Sequence, residues 1–117
     1  MAKKFQKPTL AEVTYHYLGL FQQRVRQADF DRAEQMFHEA LQRTNRIEDI
    51  RAALALDTTR RLPVQLKSPA YERMLSLAGR SPALLREYSQ EMYDFGPLFT
   101  HYADMLWDEA DDLEGIE

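Results

Sequence analysis

The sequence predicts an all-α protein, a single-domain bundle of five or six helices. Three observations lead there. Apolar residues recur at the three- and four-residue spacing of a helix face along most of the chain. Helix-start signals stand in front of those stripes, and only four glycines and five prolines interrupt them. No segment alternates with period two for long enough to make a strand.

The first element opens at Thr9-Leu10-Ala11-Glu12, a capping box in which the Thr9 hydroxyl accepts an amide while Glu12 reaches back. Leu10, Val13, Tyr17, Leu20, Phe21 and Val25 form its stripe, so a helix is expected over about 9–28. Asp29-Phe30-Asp31 breaks it, either aspartate suiting an N-cap. A second helix over about 31–43 puts Ala33, Phe37, Ala40 and Leu41 on one face, with Phe30 at the turn. A connection this short folds the two helices into an antiparallel hairpin. Asn45 to Glu48 suggests another capping box and a third helix to about Asp57 over Ile47, Ile50 and Leu54.

Thr58 to Lys67 is expected to be the main loop, charged by Arg60, Arg61 and Lys67 and barred from a helix interior by Pro63. Ser68-Pro69 and Ser81-Pro82 are twin start signals, serine at the N-cap and proline at the first helical position. They predict helices to about Ala78, closed by Gly79, and to about Asp94. Gly96-Pro97 restarts the chain into a last helix to about Leu113, carried by Leu98, Tyr102, Met105, Leu106 and Leu113. Residues 1–8 are expected to be a flexible basic start and 114–117 a frayed acidic end.

The hairpin of residues 11–43 resembles a tetratricopeptide repeat, with Ala33, Phe37 and Ala40 at the family's spacing of small and aromatic residues. Leu18-Gly19 sits about two residues too far upstream of Ala33 for a full match, and no second copy follows. The resemblance implies a protein–protein adaptor rather than an enzyme.

Charge is distributed unevenly. All 15 Lys and Arg lie in residues 1–86 with nine of the 19 acids, whereas residues 87–117 hold the other ten acids and no base. A +6 body therefore carries a −10 C-terminal segment, and a one-sign field of this kind selects partners. The absence of cysteine rules out disulfides, thiolate metal sites and a cysteine nucleophile, and fits a cytoplasmic location. No apolar stretch follows the basic start, so no secretory leader is expected, and none is long enough to cross a bilayer.

Motifs for chemistry are absent. Glu12…His16 and Glu34…His38 are i, i+4 pairs and His101…Asp104 is i, i+3, but helical di-metal sites use Glu-x-x-His with further bridging carboxylates. No serine sits in a glycine-rich elbow, and no glycine cluster cradles phosphate. The sequence thus predicts no enzyme, cofactor or metal. Two surfaces remain. Tyr93, Phe95 and Trp107 with Asp108, Glu109, Asp111 and Asp112 are the expected partner-binding set, suited to a basic and apolar protein surface or a second copy. Arg43, Arg46, Arg60, Arg61 and Lys67 are the alternative, a set of phosphate contacts for nucleic acid.

Overall fold

A computed structural model describes residues 7–115. Of the expected flexible start and frayed end, residues 1–6 and 116–117 lie outside the described residues. The described chain is all-helical: α1 (Leu10–Leu20), α2 (Gln27–Gln42), α3 (Ile47–Leu54), α4 (Val64–Ala78), α5 (Pro82–Phe95) and α6 (Thr100–Glu114), with a 3₁₀ turn at Pro97–Phe99. Its contacts fall into two compact units, Met1–Leu62 and Pro63–Glu117.

In the first unit α1 packs against both α2 and α3. The Thr9 capping box forms: Glu12 donates its amide to the Thr9 hydroxyl at 3.2 Å, and Thr9 donates its own to the Glu12 carboxylate at 3.1 Å. The helix ends at Leu20, eight residues before the expected boundary, because three rings turn the chain. Phe21, just past the helix, lies 5.1 Å from Phe30, and Tyr17 meets both rings edge-on at 5.5–5.6 Å. Asp29 is not a cap but the third residue of α2, where its carboxylate accepts the Arg26 amide at 2.9 Å. α1 and α2 are antiparallel: Phe30 meets the end of α1, while Arg43, just past α2, donates to the Pro8 carbonyl before α1 at 2.9 Å. Val13, Tyr17, Leu20, Phe37, Leu41 and Ile50 make the buried core.

α3 starts after Arg46 rather than Asn45 and stops at Leu54, because Asp57 is used otherwise. Its buried carboxylate accepts the amides of Arg61 at 2.6 Å and Leu62 at 3.0 Å. That clasp holds a tight loop whose Arg60 takes a positive φ of 55°.

The second unit corrects one start signal. α4 begins at Val64, with Pro63 at its N-cap, and Pro69 lies inside the helix. Ser68 is no cap; its hydroxyl donates backwards to the Val64 carbonyl at 2.8 Å. The stripe Leu66, Ala70, Tyr71, Met74 and Leu75 is fully buried, and this burial outweighs the backbone hydrogen bond that Pro69 forgoes. Ser81-Pro82 behaves as expected, the Ser81 hydroxyl accepting the Leu84 amide at 3.2 Å. Gly96, at φ 119° and ψ −176°, reverses the chain in a region open essentially to glycine alone.

α5 and α6 are the tightest pair in this unit. The buried face of α6 is Tyr102, Ala103, Leu106 and Ala110, with Phe99 of the 3₁₀ turn buried just before it. Leu98, Met105 and Leu113, expected in that stripe, are exposed. The small Ala103 and Ala110 replace them, and they let α6 approach α5 closely enough for the buried Ser89 hydroxyl to donate to the Ala103 carbonyl at 2.6 Å. The last helix, expected to lose order after Leu113, is hydrogen-bonded through Glu114 and closed by Gly115 in the left-handed region.

Candidate interaction surface

α6 carries most of the acidic segment, and its helical period sorts those acids into three rows. The buried face takes none. One flank, with Glu109, is met by Arg80, which lies between α4 and α5. Arg80 grips Glu109 with two N–H donors, both at 2.6 Å, and also pairs with Glu72 of α4. These bonds hold the Arg80 guanidinium above its ordinary pKa, Glu109 contributing more than Glu72, and Arg80 in turn holds Glu109 below its own. The other flank, with Asp111 and Glu114, is met by Arg86 of α5 at 2.8 and 2.6 Å. The Arg86 guanidinium also lies 4.5 Å from the Trp107 ring centroid, a cation–π contact.

The third row points outward. Asp104, Asp108 and Asp112 follow one another at four-residue spacing, all exposed, with Met105 (53% exposed) between them and the exposed His101 one turn before Asp104. Asp108 and Asp112 make no ion pair among the described residues. Asp104 accepts a hydrogen bond from the Tyr93 hydroxyl, which raises the Tyr93 pKa. Beneath the Arg80 clasp the Tyr102 hydroxyl is buried without a partner at hydrogen-bonding geometry among the described residues. Burial first, and the nearby Glu72 charge second, push its pKa up.

The expected partner-binding set is therefore divided. Trp107 is partly exposed but roofed by Arg86, and Glu109 and Asp111 are paired. Asp108 and Asp112 are open. Tyr93 stands at the margin of the ridge. Phe95 is half-buried and faces inward, 5.4 Å from Phe99 and edge-on to Tyr71. Arg80, Arg86 and Asp104 complete the surface and were not in that set. Arg80 and Arg86 are the last two bases before the acidic segment, which is the one signal in the sequence that pointed to them.

The arginine set is spread over both ends of α1, and Lys67 is buried in α4. Arg43 reaches Pro8 at the start of α1, and Arg46 next to it pairs with Glu48 at 3.4 Å. Arg61 lies over the Phe21 ring, 5.3 Å from its centroid, at the other end of α1. Eleven helical residues, about 16 Å, separate the two ends. Arg60 belongs to the same loop as Arg61. Lys67 is not in a loop; it is buried in α4, its ammonium 3.7 Å from the Phe95 ring centroid and 5.5 Å from that of Phe99.

His16, His38 and His101 are exposed, and the described residues contain no group of three or more His, Cys, Asp or Glu placed to hold a metal ion. No described helix is long and apolar enough to cross a membrane. No family model matches the sequence, and neither a curated protein nor a solved structure matches it.

Proposed function

We propose that the protein is a non-catalytic interaction module whose working surface is the outward ridge of α6. The observation that carries this reading is the sorting of charge on that helix. Arg80 and Arg86 pair with its flanks, so the helix folds despite its acids, while Asp104, Asp108 and Asp112 face solvent and meet no base among the described residues. The neighbouring Met105, Tyr93 and Leu98 add exposed apolar area. A carboxylate row set among Met and aromatic side chains suits a partner with arginines or lysines around an apolar centre. The resemblance of residues 11–43 to a tetratricopeptide hairpin points to the same class, and the cysteine-free sequence suits a cytoplasmic setting.

Capture from the native host, with the partner identified by mass spectrometry, tests this. The wild-type chain is compared with an Asp104→Asn/Asp108→Asn/Asp112→Asn variant. The variant keeps its helicity, since exposed charges contribute only ~0–1 kcal/mol each, and loses the partner. Equal capture by both chains overturns the reading.

A further inference from the structure

The first unit carries a cationic groove that is open to solvent. Two adjoining cavities of about 740 and 580 Å³ share Lys7, Pro8 and Arg43 as lining residues. Arg32 extends the groove along α2 and Arg46 extends it towards α3, with Met36 and Pro8 supplying apolar wall. All four cations are exposed, and Arg32 and Lys7 make no ion pair among the described residues. Glu39 and Asp49 are the acids on the lining, so cations outnumber them by two. Arg32 on α2 and Arg43 at its C-cap are eleven residues apart along the same face, a cationic span of about 16 Å.

We infer that this groove docks the α6 ridge of a second copy of the chain. The inference rests on the reading of that ridge as the working surface and names its partner. Asp104 to Asp112 spans eight helical residues, about 12 Å, which fits within the 16 Å between Arg32 and Arg43. Met105, exposed in the middle of the ridge, has Met36 and Pro8 as apolar counterparts. The charge balance agrees with the fit: residues 1–62 hold eleven bases and eight acids, and residues 63–117 hold four bases and eleven acids. Groove and ridge are different patches, so the contact is head-to-tail. Each added copy leaves one groove and one ridge unused, and the assembly grows as an open chain or closes as a ring.

Sedimentation velocity of the full chain tests this. The wild type should self-associate at about 0.1 M salt, where charges act over ~10 Å, and dissociate at about 1 M, where they act over ~3 Å. An Arg32→Gln/Arg43→Gln groove variant and the Asp104→Asn/Asp108→Asn/Asp112→Asn ridge variant should each associate about tenfold more weakly or worse. Circular dichroism checks that both keep wild-type helicity. An equal mixture of the two has one competent junction, the ridge of the first with the groove of the second, so it should form a heterodimer and stop there. A wild type that stays monomeric at low salt overturns the inference and leaves the α6 reading to the host-capture experiment. Self-association retained by either variant, or a mixture that grows beyond two chains, overturns it as well.

Discussion

Replacing Arg80 with methionine removes the clasp on α6 while keeping the length of the side chain. Arg80 donates twice to Glu109 and once to Glu72, so one guanidinium joins α4 and α6. The Arg80 and Glu109 side chains are 36% and 35% exposed and Glu72 is 41% exposed, so solvent screens the group and the small values of surface pairs apply. Two such pairs share the ordering cost of one arginine, and the Glu109 pair is bidentate. Together these give a loss of about 1–2 kcal/mol at neutral pH. For a unit of this size that corresponds to a fall in melting temperature of roughly 4–8 °C per kcal/mol. Trp107, the only tryptophan, lies on α6 and reports the second unit by fluorescence during urea or thermal unfolding. The pH dependence is a further check. Glu109 has a folded pKa below its unfolded value of about 4.3, so its contribution is present above that pH and is lost as pH falls through the folded value. The gap between wild type and Arg80→Met should therefore hold from pH 7 to 5 and close towards pH 3. A gap that is absent at pH 7, or that persists unchanged at pH 3, refutes the clasp.

Two further substitutions test the packing that places the ridge. Ala103→Leu puts three extra carbons into a fully buried seam where the Ser89 hydroxyl already touches the Ala103 carbonyl, and should cost about 1–3 kcal/mol by the same fluorescence assay; a neutral result would mean that α5 and α6 are not in close contact. Gly96→Ala meets no atom within 4 Å, so any loss comes from its backbone, and an unfolding free energy lowered by about 1–3 kcal/mol in urea titration is expected, whereas no change would place Gly96 in an ordinary conformation.

Helix number and type were legible in the sequence because the strong signals are local. The Thr9 box, the Ser81-Pro82 start and the Gly96-Pro97 break each act within four residues. The errors have a common origin in tertiary contact. Ser68-Pro69 reads as a start in isolation, yet the buried stripe from Leu66 to Leu75 carries the helix through it. α1 stops early because Phe21 is drawn to Phe30, a contact nine residues away. On α6 the large residues Leu98, Met105 and Leu113 were favoured for the core by hydrophobicity alone, whereas close approach to α5 selects the alanines. The acidic surface was visible as a block of composition, but its division into paired flanks and an open ridge depends on Arg80 and Arg86, whose partners lie 25 to 29 residues further along the chain.

On the proposed reading, the solvent-facing aspartates of α6 draw in a partner while the paired flanks hold the helix. The association rate of the captured partner, measured by stopped flow across ionic strength, tests it most directly. The wild-type rate should fall steeply from about 0.1 M to 1 M salt, and the rate for Asp104→Asn/Asp108→Asn/Asp112→Asn should be slower and nearly salt-independent. Equal rates for the two chains, with the same dependence on salt, would contradict it.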